Sequence, residues 1–386
     1  MHIPRVQLPD KPFDLAYRLS TPAHRDYAEA IEPSFPTILF VHPLWTDSFF
    51  FYPQYDDPLF NENYNLLAFD MPAHGSSVVR SKLEEEYTWT AHAKVLIEAL
   101  RILHVGSVHV VGVSMGCTTT IPMATLFPGI VESITLVTPP AVNEPEDRAL
   151  AYADIKNLLD AALDNQDPEA LSLIARANMD FNTAQMNDPV IRQVYEEYVE
   201  LGRRMMAVGH LEAYKALPIN TSLISSRTQF PLPDDDKTLL ECPFLVLQGT
   251  DEGWERRDYD WEQFVERRNG RREEAGNSRN GTRVVLEGMS RWMTLTAPNV
   301  LNPLVNQFIS RKLDPSSDPF IPAISPPQML AQRPTRPRCQ DIEISAIVSR
   351  RPICSVSSGE PHSQENLYDA GVNVEVEVLV KVDEGR

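Results

Sequence analysis

The chain has 386 residues, 42% of them hydrophobic and 23% charged, the usage of a globular protein with enough apolar material for a sizeable core. Its 35 basic and 54 acidic side chains leave a net charge of −19, which excludes nucleic acid and an anionic membrane surface as expected partners. Four scattered cysteines, Cys117, Cys242, Cys339 and Cys354, form no CxxC pair, so neither a disulfide framework nor a metal site is expected, and a reducing, cytoplasmic location is.

The first residues carry Pro4, Pro9 and Pro12 and no apolar leader run, so no secretory signal is expected. Phe13, Leu15, Tyr17 and Leu19 alternate with other residues and predict a half-buried strand. Residues 37–41 (ThrIleLeuPheVal) and 65–69 (AsnLeuLeuAlaPhe) are continuous apolar runs, as strands covered on both faces require. Trp89, Leu96, Leu100 and Leu103 fall at helical spacing behind Thr88, a residue type that caps helix N-termini. Residues 108–113 and 133–137 predict two further strands. No charge occurs between Arg101 and Glu132, but Gly106, His109, Gly112, Ser114, Gly116 and Pro122 break that stretch into strand, turn and helix rather than a membrane span.

Residues 141–230 change character: they are acidic, favour helix and lack strand patterning, which predicts a helical insertion. The sheet resumes at 244–248 and ends at 282–286, with a polar, exposed loop expected over 269–281 and a closing helix containing 303–309. From Asp314 prolines recur and periodicity vanishes, so residues 314–386 are expected to be a disordered, Pro-rich tail. Near its end Val372, Val374, Val376, Val378, Val380 and Val382 alternate, the pattern of one face of an isolated strand or of a strand added to an edge. Strands alternating with helices over the first two-thirds predict an α/β fold with a mainly parallel β-sheet flanked by helices.

One motif carries chemistry. Gly112-Val113-Ser114-Met115-Gly116 is a GxSxG between a predicted strand and a predicted helix, the setting in which a serine sits on a strained turn. The glycines allow close backbone approach, and the helix N-terminus places N–H groups beside the serine oxygen. HExxH, P-loop and dinucleotide-binding patterns are lacking, so no cofactor is expected.

With these residues in place the sequence resembles the α/β-hydrolase superfamily. Val41-His42-Pro43-Leu44-Trp45 stands where that family has its oxyanion loop, and Asp70-Met71-Pro72-Ala73-His74-Gly75-Ser76-Ser77 matches its D-x-P-G-H-G-x-S turn, with Ala73 replacing a glycine. The resemblance implies a core over 13–140 and 231–313 and a helical cap or lid over 141–230. It implies Ser114 as nucleophile, the N–H groups of Leu44 and Met115 as oxyanion hole, and Glu252, or its neighbour Asp251, as the triad acid.

The departure lies at the triad histidine. The family pattern near the last strand is G-x-G-H-W, whereas this chain reads Gly288-Met289-Ser290-Arg291-Trp292. A guanidinium stays protonated and takes no proton from a serine, so Arg291 is expected to pair with Glu252 or Asp251 or to bind an anionic substrate group. His42 and His74 are the alternative bases, although both match structural histidines of the family. The expected function is hydrolysis of an ester, thioester, lactone or related acyl group of a small organic metabolite, in the manner of secondary-metabolite pathways. The alternative is a ligand-binding or scaffolding homologue that has lost catalysis together with its histidine. Oligomeric state has no signature in the sequence.

Overall fold

In a computed structural model of the chain, the residues described are 3–80, 87–141, 146–165, 167, 169–170, 173–174, 191–192, 241–250, 258–313, 344–349 and 375–380. They fall in two units, Met1–Pro327 and Gln328–Arg386.

The first unit is built on a nine-stranded sheet: β1 (Arg5–Gln7), β2 (Phe13–Ser20), β3 (Thr37–Val41), β4 (Asn65–Phe69), β5 (Val78–Val79), β6 (Val108–Val113), β7 (Val131–Val137), β8 (Phe244–Gly249) and β9 (Gly281–Leu286). The order is β1-β2-β4-β3-β6-β7-β8-β9, with β5 also pairing β2. Strands β3, β4 and β6 to β9 are parallel, and β2 runs antiparallel to β1, β4 and β5. The predicted strands are thus all present, while β1 and the two-residue β5 are too short to leave a periodic signal.

The continuous apolar runs bury both faces, as their composition requires. Along β3, Leu39 and Val41 join one core cluster with Leu67, Val110, Ile134, Leu96 and Trp261, while Ile38 and Phe40 join another with Leu66, Val111, Leu245, Phe51 and Phe308. Each such side chain contributes about 1.5–3 kcal/mol on burial, so the two clusters hold the sheet between its helical layers.

The helices with ranges among the described residues are α1 (Tyr52–Tyr55), α2 (Pro58–Asn61), α3 (Trp89–Ile102), α4 (Met115–Leu126), α5 (Glu146–Asp164), α6 (Asp258–Glu274), α7 (Met293–Thr296) and α8 (Pro298–Leu313). Thr88 caps α3 by accepting the Ala91 N–H at 3.0 Å, as its residue type predicts. The polar stretch 269–281 corrects the sequence reading at its start, because α6 continues through it to Glu274. Asn269 is fully buried there and acts as a clamp. Its amide donates to Gly281 O and its carbonyl oxygen accepts the Asn280 and Gly281 N–H groups. A polar residue with three backbone partners is indistinguishable in sequence from a solvated one.

Helix α5 lies in the segment read as a helical insertion; most of the rest of that segment is outside the described residues. In the second unit β10 (Ile344–Ser349) pairs antiparallel with β11 (Glu375–Val380), register Ile344↔Val380 through Ser349↔Glu375. The alternating-valine segment therefore has a strand partner and is not isolated. That partner lies some thirty positions upstream, a separation no local pattern reports. Among the described residues no helix is long and apolar enough to cross a membrane.

Candidate active site

In the sheet order, β4 lies on one side of β3 and β6 on the other, so the winding direction reverses at β3 and β6. Ligands of open α/β sheets bind at the carboxyl ends of strands at such a reversal. Here β3 and β6 pair as far as Val41↔Gly112, which brings the segment starting at His42 beside Ser114.

Ser114 has φ 50° and ψ −114°, between the last residue of β6 and the first of α4. A non-glycine residue at positive φ is strained by about 1–2 kcal/mol, and the surroundings hold it there. Its N–H donates to Val137 O at 3.0 Å and its carbonyl accepts the Cys117 N–H at 2.9 Å. The flanking glycines are required by space. A Cβ on Gly112 would lie 2.5 Å from Thr120 Oγ1, and one on Gly116 would enter the Val41 carbonyl. The second contact sets the first turn of α4 directly against the β3 loop. As the first residue of α4, Met115 has an N–H without an intrahelical acceptor.

The β3 loop is cross-tied to the β4 turn. His42 Nε2 accepts the Met71 N–H at 2.9 Å, which puts the imidazole proton on Nδ1, and Nδ1 donates to Pro43 O at 2.7 Å. Asp70 accepts the Ser48 N–H at 2.8 Å and the Ser76 N–H at 2.7 Å, and Gly75, at φ 52°, has no room for a Cβ against that carboxylate. Burial raises the Asp70 carboxyl's pKa, and the hydrogen bonds from Ser76 and Ser48 oppose that rise.

These ties involve the two candidate histidine bases. Both ring nitrogens of His42 are occupied within the loop, and burial lowers its pKa to about 4 against the pull of the Pro43 carbonyl. His74 is buried edge-on to His42, ring centroids 5.1 Å apart, with Nδ1 at 3.0 Å from Pro72 O. Burial, reinforced by His42, lowers its pKa to about 3. His42 thus has both ring nitrogens on backbone groups, whereas His74 Nε2 is buried without a hydrogen-bond partner among the described residues.

Arg291 is half-buried in the loop between β9 and α7. Its carbonyl accepts the Thr138 hydroxyl at 3.1 Å, and Thr138, at φ 46°, donates its N–H to Leu247 O at 2.7 Å. Trp292 packs on Phe50, centroids 5.3 Å apart, so the β3 and Arg291 loops support one another. Thr250 reaches the same loop from the end of β8: its hydroxyl accepts the Gly288 N–H at 2.8 Å and donates to Glu287 at 3.0 Å. Asp251 and Glu252 follow immediately and lie outside the described residues. The structure thus gathers Ser114, Leu44, Met115 and the Arg291 backbone at one end of the sheet. Thr138 and Thr250, which tie the Arg291 loop to the ends of β7 and β8, carry no sequence signal, because a threonine hydroxyl's partner is set by the fold.

The sequence profile described as the alpha/beta hydrolase family matches residues 38–303. The chain belongs to the alpha/beta hydrolase family. A curated relative, the (E)-2-((N-methylformamido)methylene)succinate hydrolase of Acinetobacter baylyi, is 23% identical over 272 residues, covering 69% of this chain and 87% of its own. Among solved structures, a thermophilic esterase from Thermogutta terrifontis superposes with a TM-score of 0.57 at 15% identity, over 81% of this chain and 99% of that one. The enol-lactonase of Burkholderia xenovorans does so with a TM-score of 0.55 at 16% identity, over 80% of this chain and 100% of that one. At these identities the structures share the fold of this alpha/beta hydrolase. His42, His74, Ser114 and Arg291 all fall within the matched span.

Proposed function

We propose that the protein is a serine-dependent hydrolase of an ester, thioester, lactone or related acyl bond in a small organic metabolite. The observation that carries this reading is the backbone of Ser114. Ser114 is held at φ 50° between two space-limited glycines at the junction of β6 and α4, the strand–turn–helix setting in which a serine hydroxyl is presented at a helix N-terminus. In this reading Ser114 Oγ attacks the substrate carbonyl, and the Leu44 and Met115 N–H groups receive the charge that develops on its oxygen. The activities named for the Acinetobacter hydrolase and the Burkholderia enol-lactonase, both acting on small molecules by name, support that substrate class.

Deprotonation of Ser114 needs a base that Arg291 does not supply. The resemblance implies Glu252, or its neighbour Asp251, as the acid of this site, directly after the Thr250 tie, and leaves His42 and His74 as the alternative bases. A second reading, a binding protein without turnover, is favoured by one observation, the arginine at the histidine position. Labelling with a fluorophosphonate probe separates the two. The hydrolase reading expects covalent capture that Ser114→Ala abolishes. A chain that stays unlabelled and leaves activated esters intact is a binder.

A further inference from the structure

We infer that Thr46 is a positioning residue for catalysis: by gripping the Pro43 carbonyl, its hydroxyl aims the Leu44 N–H at the substrate oxygen. The inference rests on the reading of Ser114 as nucleophile and Leu44 as oxyanion donor, and deepens it by naming what holds that donor in place.

The geometry turns on one peptide unit. Pro43 C=O and Leu44 N–H belong to the same planar trans amide, so they point in opposite directions and fixing one fixes the other. Pro43 O accepts two hydrogen bonds, from Thr46 Oγ1 at 2.9 Å and from His42 Nδ1 at 2.7 Å. Thr46 Oγ1 also lies 3.3 Å from His42 Nδ1, so hydroxyl, imidazole and carbonyl form one closed cluster. Both side chains are buried, Thr46 at 3% exposure and His42 at 0%, where such hydrogen bonds are not exchanged for water. With its carbonyl held inward, the amide presents the Leu44 N–H outward from the cluster. The first turn of α4 lies against this segment, because Gly116 abuts the Val41 and His42 carbonyls. Trp45 follows at φ 65°, a left-handed residue that turns the chain so that Thr46 folds back onto Pro43. Leu44 itself is partly buried against the core.

This arrangement meets a general requirement. Oxyanion donors accelerate reaction because they are oriented before charge develops, and one lost donor costs about 10²–10³-fold in kcat. Pro43 makes the requirement acute, since proline has no N–H and Leu44 is the donor this loop offers at that point. The chain spends a buried hydroxyl on a carbonyl that an imidazole already holds, and two donors fix the rotation of the amide plane where one leaves it free to swing.

The test compares wild type, Thr46→Val, Thr46→Ser and Thr46→Ala on a p-nitrophenyl ester and with a phenylboronic acid as mimic of the tetrahedral intermediate. Valine keeps the shape and removes the hydroxyl. Because His42 still holds Pro43, we expect Thr46→Val to lower kcat about tenfold with KM unchanged and to weaken the boronate by a similar factor, an interaction lost only in the transition state. Thr46→Ser restores both, and Thr46→Ala repeats the loss should valine fail to fold. A merely structural threonine would lower Tm without separating kcat from KM. Thr46→Val with wild-type kcat and boronate affinity overturns the inference. If the wild type itself neither turns over nor labels, the serine reading fails instead. The positioning is then read from the Leu44 amide by NMR, where identical shift and exchange rate in wild type and Thr46→Val overturn it.

Discussion

Ser114 and Arg291 are joined through two consecutive residues at the end of β7. Val137 accepts the Ser114 N–H at 3.0 Å, and the next residue, Thr138, donates its hydroxyl to the Arg291 carbonyl at 3.1 Å. The Arg291 backbone is thereby tethered to the strand beside Ser114.

That tether gives the first prediction. If the loop frame is intact, Arg291→His places an imidazole where the family has its base. Positioned general-base catalysis is worth about 10²–10⁴-fold, so hydrolysis of a generic activated ester should rise by at least tenfold. Adding Ser114→Ala should abolish the gain. A drop in activity with no gain on the generic ester would show that the guanidinium itself serves the reaction. The pH profile reports the gain: an imidazole at position 291 with an ordinary pKa makes the added kcat/KM fall away below about pH 6.5, whereas the wild type, without that imidazole, lacks this step.

Gly116→Ala tests the contact between elbow and loop. Its Cβ would enter the Val41 carbonyl, so α4 and the β3 loop must separate. A misplacement of about 1 Å is expected to cost about 10²-fold in turnover. Gly129→Ala, which meets nothing within 4 Å, is the control and should leave turnover unchanged.

Ala73 occupies a left-handed position, φ 64°, inside the β4 turn. Glycine relieves about 1–2 kcal/mol of strain and returns part of it as unfolded-chain entropy. Ala73→Gly should therefore stabilise by about 0.5 kcal/mol in a urea melt. Gly75→Ala runs the other way. It adds the same backbone strain at φ 52° and pushes a methyl into the Asp70 carboxylate, so a loss of more than about 2 kcal/mol is expected. Equal midpoints for the two variants would contradict this account.

Acid should destabilise the fold early. His42 is held to a pKa of about 4, and His74 and His92 to about 3, all chiefly by burial, with His74 adding to the effect on His92. Unfolded histidines titrate near 6.5, so between about pH 6.5 and 4 the unfolded chain binds more protons and stability falls as pH falls. Each group contributes about 1.4 kcal/mol per pH unit in that window. Asp70, whose burial raises its pKa, works in the opposite sense at the acid end. Urea midpoints at pH 7.5 and 5 should differ clearly, and His92→Phe should reduce the difference; unchanged midpoints across that range would refute it.

The sheet and the elbow were legible because their causes are local. The continuous apolar runs at 37–41 and 65–69 demand burial on both faces, and the glycines around Ser114 mark a turn whatever packs on it. Residues whose role depends on a distant partner were not legible. Asn269 read as loop because its three backbone partners sit on β9 and the residue before it. His42 read as a possible base, and only the fold shows its Nε2 taken by the Met71 N–H of the next turn. Thr138 gave no signal, since the carbonyl its hydroxyl meets, that of Arg291, is more than a hundred residues away. The sequence by itself determined which strands are buried and where the strained serine sits, because apolar area and backbone sterics act residue by residue. Only the tertiary structure decided how the β3, β4 and Arg291 loops lock together, because hydrogen bonds between segments exist only once the sheet has brought their ends to one edge.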